Sequence, residues 1–181
     1  MSELRIVGGE LGGRRISAPG RGEATRPTSE RVREAAFSIL GAVEGARVLD
    51  LFCGTGALAF EALSRGAAEA TLVDTRTRTV RENLDRLGLG ERALVIRSDA
   101  VRFLRRAPSR GFDLILCDPP YDLPEREWER LAPLLASSLA EDGRLMLEAA
   151  AARPLAVELP LLRERRYGDT ILRLHGAGDG T

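Results

Sequence analysis

RVLDLFCGTGALA, residues 47–59, changes character halfway along. Val48, Leu49, Leu51 and Phe52 form an apolar run broken by one acid, Asp50, and the run ends in Cys53-Gly54-Thr55-Gly56 before helix-favouring residues begin. That pattern predicts a buried strand, a tight glycine turn and a helix start. Glycines at 54 and 56 leave the turn without side chains, so a ligand can approach the backbone and meet amide hydrogens at the head of a helix. The turn is a candidate cofactor seat.

Outward from it, apolar strands alternate with helices. Strands are expected at 46–52, 69–74, 93–97, 112–117 and 144–148, and helices at 56–65, 76–87, 100–106 and 125–138. Such alternation implies a parallel sheet covered on both faces. The end differs: 156–165 and 170–175 read as extended pieces joined through Arg166-Tyr167-Gly168-Asp169, an antiparallel hairpin closing one edge. Upstream, 4–7 and 14–17 flank the glycine-rich GGELGG as a small hairpin, and 18–27 is an irregular arm. A helix then carries Val32, Ala35, Ala36, Ile39 and Leu40 on one stripe, with Thr28 or Ser29 as cap and Arg31 and Arg33 off the stripe. The expected fold class is α/β, Rossmann-like, with a seven-stranded mostly parallel sheet. The expected organisation is an N-terminal hairpin, arm and helix (1–42), a main domain (43–175) and a disordered tail (176–181).

Composition narrows the function. Formal net charge is zero, so only a local excess could attract a polyanion. Between Leu4 and Arg33 seven arginines face three glutamates, an excess of +4. Every basic residue is arginine, which biased codon usage explains more simply than phosphate preference. Two cysteines and one histidine offer neither a disulfide framework nor a zinc site, so free thiols and no metal are expected. No apolar run is long enough to span a bilayer and the start lacks the apolar core of an export signal, so a cytoplasmic protein is expected.

In open sheets ligands bind beyond the carboxyl ends of the strands. Asp74, about 20 residues after the turn, can accept both hydroxyls of a ribose. Asp99 can accept from an adenine amino group, or equally cap the helix that begins at Ala100. Asp118-Pro119-Pro120-Tyr121 follows the apolar run 112–117 and is more specific. Two prolines lock the backbone and remove two donors, so an acid and a carbonyl stand side by side to grip an exocyclic amino group, and the Tyr121 ring offers a face to a base.

These residues carry a resemblance. DLFCGTGALAFEALSRGA, Asp74 and DPPY look like the S-adenosylmethionine-dependent amino-group methyltransferases. RIVGGELGGRRISAP followed by RPTSERVREAAFSIL resembles the bacterial family that methylates N2 of guanine 966 in 16S ribosomal RNA. The resemblance implies that Asp50, Phe52, Cys53, Gly54, Thr55 and Gly56 surround the methionine part of the cofactor. It puts Asp74 with Thr75 at the ribose and Asp99 with Ala100 at the adenine. Thr28 would lie near the methionine carboxylate or the incoming RNA, and Asp118 would border both cofactor and base. Asp118, Pro119, Pro120 and Tyr121 would be catalytic. Arg26, Arg31 and Tyr121 would meet the substrate, 16S rRNA within the assembling or assembled small subunit; Arg5, Arg14 and Arg15 read by default as solvated surface, while their clustering in a glycine-rich arm suggests phosphate contacts, and nothing in the sequence suggests more than a monomer. Rival readings are adenine-N6 methylation of DNA or RNA, a nicotinamide oxidoreductase, whose fingerprint needs a third glycine absent here, and a non-catalytic nucleic-acid-binding module.

Overall fold

The computed structural model describes residues 3–18 and 30–177. Its elements are β1 (Glu3–Arg5), β2 (Arg15–Ser17), α1 (Glu30–Leu40), β3 (Arg47–Leu51), α2 (Ala57–Ser64), β4 (Glu69–Asp74) and α3 (Arg78–Leu87). They continue with β5 (Ala93–Arg97), α4 (Ala100–Leu104), β6 (Phe112–Cys117), α5 (Glu125–Ser138), β7 (Leu139–Ala150), β8 (Leu161–Tyr167) and β9 (Thr170–Gly176). β1 and β2 form an antiparallel hairpin, and the other seven strands one sheet of order β5-β4-β3-β6-β7-β9-β8. Five strands are parallel, and β9 runs antiparallel to both β7 and β8. This is the expected Rossmann-like architecture, closed by the expected C-terminal hairpin.

Strand alternation divides the core in two. Val48, Leu72, Leu114, Leu116 and Met146 face α1, α2, α3 and the N-terminal hairpin, in a cluster that includes Ile6, Ile16, Phe37 and Phe60. Leu49, Leu51, Val73, Ile115 and Leu147 face α4 and α5, with Leu104, Trp128, Leu131 and Leu135. Near-continuous apolar strands are what a doubly covered sheet needs, because both faces leave water. Each fully buried Leu, Ile or Phe contributes on the order of 1.5–3 kcal/mol.

Chain order reverses beside β3: β4 and β5 extend the sheet one way, and β6 returns to the other side of β3. The register holds Leu51 level with Val73 and Cys117, so the segments after β3, β4 and β6 leave the sheet along one rim. The crevice at such a reversal is where open α/β sheets bind ligands.

Three details differ from the sequence reading. Arg33 lies on the buried stripe of α1, only 1% exposed, and its Nη2 donates to the Arg5 carbonyl at 2.6 Å. Burial lowers its pKa, with Glu61 and Glu30 opposing that shift, so nearby acids make a buried guanidinium tolerable. β7 starts at Leu139, which pairs with Phe112 before a register shift brings Arg144 opposite Leu114. The stretch 156–160 lies outside the sheet, where Pro160, lacking an amide donor, directly precedes β8. Thr28 and Ser29, the expected caps of α1, lie outside the described residues, as do the arm 19–29 and the tail from 178.

Candidate active site

The glycine turn is built from left-handed backbone. Phe52, Gly54 and Gly56 have φ of 60°, 53° and 81°. For phenylalanine that conformation is an outlier, of the kind found at ligand sites, held here by a side chain packed against the α4–α5 cluster. The Gly56 amide donates to the Cys53 carbonyl at 2.7 Å, and α2 begins at the next residue. A Cβ on Gly56 would lie 2.5 Å from the Phe60 ring, whereas one on Gly54 would find only the Phe52 carbonyl, at 3.9 Å. Gly56 therefore lets the helix pack, and Gly54 leaves the rim side open.

Asp74 secures this turn from the neighbouring strand. Its Oδ2 accepts the Gly54 amide at 2.9 Å, and its Oδ1 accepts the Arg76 amide at 2.9 Å and lies 3.5 Å from the Thr75 hydroxyl. Asp99 is exposed and caps α4, accepting the Arg102 amide at 2.8 Å, with Ala100 buried beside it. Capping engages one carboxylate oxygen, so it leaves the other able to accept from a ligand.

Under the turn lies Asp50, 1% exposed, which accepts the Ala59 amide at 3.1 Å. Burial first, then the charges of Asp118 and Asp74, raise its pKa well above the ordinary carboxylate range, while the Ala59 hydrogen bond lowers it. The three acids thus share one electrostatic neighbourhood across β3, β4 and β6. Burial, with the charges of Asp118 and Asp50, also pushes up the Cys117 thiol, and burial with the Asp50 and Asp74 charges does the same to Cys53. Both cysteines are free and buried, which makes them poor nucleophiles.

Asp118, part-buried, leaves β6 level with the glycine turn. Pro119 is buried and Pro120 exposed, and the Pro120 carbonyl closes the loop by accepting the Leu123 amide at 2.9 Å. Tyr121 is 50% exposed, with its hydroxyl 3.1 Å from Thr170 Oγ1. The hydroxyl contact ties the half-exposed tyrosine to the start of β9, at the same rim of the sheet.

The arginines expected to meet the substrate are differently placed. Arg5 pairs with Glu30 at 3.5 Å and Arg15 with Glu3 at 2.9 Å. Arg14 donates to the carbonyls of Arg86 and Leu87 at 2.8 and 3.2 Å, capping the end of α3. Arg31 is exposed on α1, and Arg26 and Thr28 lie outside the described residues. Among the described residues no group of three or more His, Cys, Asp or Glu is arranged to hold a metal ion, and no helix is long and apolar enough to cross a membrane.

Two residues went unremarked in the sequence reading. Asn83, fully buried, accepts the Ser17 amide at 2.7 Å and donates to the carbonyls of Ser17 and Thr55, each at 3.0 Å. It thus joins the root of the N-terminal arm to the glycine turn. Glu61, 0% exposed, accepts the amides of Val7 and Gly8 at 2.7 and 2.8 Å and pairs with Arg65. The available signal was a polar residue on an apolar helical stripe: Asn83 stands among Val80, Leu84 and Leu87, and Glu61 in ALAFEALS.

Comparison with known proteins agrees with this geometry. The family model described as Conserved hypothetical protein 95 matches residues 4–176. The chain is 38% identical to YlbH of Bacillus subtilis, over 92% of this chain and 95% of that protein. It is 31% identical to Ribosomal RNA small subunit methyltransferase D of Haemophilus influenzae, over 96% and 93% of the two chains. The solved structure of Escherichia coli yhhF superposes with a TM-score of 0.81 at 34% identity, covering 97% of this chain and 98% of that one.

Proposed function

We propose, for a chain that belongs to the family described as Conserved hypothetical protein 95, that it transfers a methyl group from S-adenosylmethionine to the N2 amino group of guanine 966 in 16S ribosomal RNA of the small subunit. The observation that carries this reading is the juxtaposition at the sheet reversal: Asp118-Pro119-Pro120-Tyr121 leaves β6 beside the glycine turn, close enough for the Asp118 charge to act on Asp50. The name of the Haemophilus influenzae relative supports a ribosomal RNA substrate over DNA.

The residues present fit the cofactor. Gly54 opens the turn to close approach and Gly56 lets α2 start directly behind it; Asp74, at the end of β4, would hold the ribose, Asp99, capping α4 just after β5, the adenine, and Asp50 would underlie the methionine part. A ligand with a cationic centre also suits this neighbourhood, where burial first and then the Asp118 and Asp74 charges raise the Asp50 pKa, because a nearby positive charge offsets those acidic charges. When bound, S-adenosylmethionine supplies a methyl already activated by the adjacent sulfonium, so this chain's task is alignment. Guanine N2 is a weak nucleophile, its lone pair delocalised into the ring. The Asp118 carboxylate and the Pro119 carbonyl accept its two hydrogens, favour tetrahedral geometry at nitrogen and stabilise the charge it gains. Asp118 or water takes the proton that N2 releases. Tyr121 holds the base by its face, turned out of any stack.

Asp118→Ala tests the assignment. Calorimetry should show cofactor affinity within a few-fold of wild type, while methyl transfer falls by about 10²–10⁴, the range for losing an acid–base or charge-stabilising group. Unchanged transfer removes Asp118 from the reaction. Labelled cofactor incubated with small-subunit RNA or with duplex DNA separates guanine-N2 from adenine-N6 methylation, and mass spectrometry of the RNA locates the methyl.

A further inference from the structure

We infer, resting on the RNA methyltransferase reading, that the rim end of the β8–β9 hairpin docks the phosphate backbone flanking the target guanine. The argument turns on where uncommitted cationic charge lies. Among the described residues of the N-terminal segment, Arg5 and Arg15 are ion-paired, Arg14 caps α3 and Arg33 is buried, which leaves Arg31 on α1 as the single exposed arginine there with neither role. β8, LLRERRY, instead exposes Arg163, Arg165 and Arg166, none of which pairs with a carboxylate among the described residues. Arg165 donates to the Glu164 carbonyl and Arg166 to the Gly168 carbonyl, each at 2.9 Å. The carboxylate of Glu164 is held by Arg173 at 2.8 Å; the exposed acids nearby are Asp169 in the turn and Asp122 beside Tyr121.

Topology carries these arginines to the chemistry. β8 runs antiparallel to β9 and β9 antiparallel to β7, so β8 ends at the same rim as β3 and β6. The first residue of β9, Thr170, pairs with Tyr167 and touches the Tyr121 hydroxyl at 3.1 Å. Arg153, just after β7, approaches the Tyr121 carbonyl at 3.5 Å. Because β8 is the last strand of the sheet, alternation turns Arg165 to one face and Arg166 to the other without covering either. A base seated against Tyr121 would therefore have guanidinium forks beside its own backbone, and those forks match phosphate geometry.

The test compares Arg165→Gln/Arg166→Gln with Arg105→Gln/Arg106→Gln, an equal reduction of charge at exposed residues just after α4, away from the rim. For naked 16S RNA, the hairpin variant should raise KM and lower the slope of log affinity against log salt by about 1.4–1.8, or 0.7–0.9 for each phosphate no longer neutralised. Its S-adenosylmethionine affinity and melting temperature should match wild type, and the control variant should keep the wild-type slope. Equal slopes for both variants overturn the proposal by reducing the effect to net charge. So does a defect seen with the assembled subunit but not with naked RNA, which assigns the hairpin to a protein partner. If wild type binds S-adenosylmethionine but methylates neither naked 16S RNA nor the assembled small subunit, the function itself fails, and the surface with it.

Discussion

At Gly56 two constraints meet. Its φ of 81° is costly for any residue with a Cβ, and such a Cβ would lie 2.5 Å from the Phe60 ring and 2.9 Å from Val80. Gly88 shares the backbone problem, with φ of 71°, but nothing lies within 4 Å of its Cβ position. Gly88→Ala should therefore cost about 1–2 kcal/mol, the left-handed penalty alone. Gly56→Ala should cost clearly more and also weaken cofactor affinity; urea midpoints and calorimetry measure both, and equal losses would refute the packing argument. The residue scale also predicts inert thiols. Cys53 and Cys117 are buried and their thiols are held protonated, so an aromatic disulfide reagent should label them only as fast as the protein opens. Gly54, Asp74 and Asp118 could be picked out in the sequence because each lies at or just past the carboxyl end of an apolar strand. The tasks of Asp74 in fixing the Gly54 amide and of Arg14 in capping α3 could not, since their partners are distant in the chain.

At the scale of elements, the helices are joined to the rest of the molecule by polar side chains reaching across long sequence separations. Arginines close the carboxyl ends of three helices: Arg144 donates to the Leu40 and Ala42 carbonyls after α1, Arg92 to Leu63 and Ala67 after α2, and Arg14 to Arg86 and Leu87 at α3. A cation at the negative end of a helix dipole contributes about 0.3–1 kcal/mol each. Asn83 does more, since α3 carries it to both Ser17 and Thr55. Asn83→Ala leaves these groups unsatisfied in a buried place, at about 1–3 kcal/mol for each one stranded. We expect a lower urea midpoint together with weaker S-adenosylmethionine binding; a drop in stability with cofactor affinity untouched would show that the link does not reach the turn. Element types and order were readable from periodicity. The start of β7 and the exclusion of 156–160 from the sheet were not, because pairing with neighbouring strands decides where a ladder begins.

For the whole molecule, the two apolar clusters and the closing hairpin set how stability responds to pH. His175, 5% exposed on β9, lies 3.1 Å from the Leu159 carbonyl through Nδ1. Burial first lowers its pKa below the usual 6.5, the Arg173 charge adding to that and carbonyl hydrogen bonds opposing it. Below about pH 6.5 the unfolded chain binds the proton more readily than the folded one, so stability falls as pH falls through that value. Urea midpoints at pH 7.5 and 5.5 should show a smaller drop for His175→Asn than for wild type, and identical drops would remove His175 from the linkage. What the chain determined by itself is local: apolar runs with period two or unbroken, a glycine turn after the first long strand, an acid–proline–proline–tyrosine exit from the fourth, all set by neighbours in the covalent chain. What only the tertiary structure decided is which charges are spent. Arg5, Arg14, Arg15 and Arg33 look alike in sequence to Arg163, Arg165 and Arg166, yet the first group is consumed by acids and carbonyls brought from afar and the second is left in solvent. Coulombic and hydrogen-bond partners act through space, and the order of residues along the chain does not reveal who they will be.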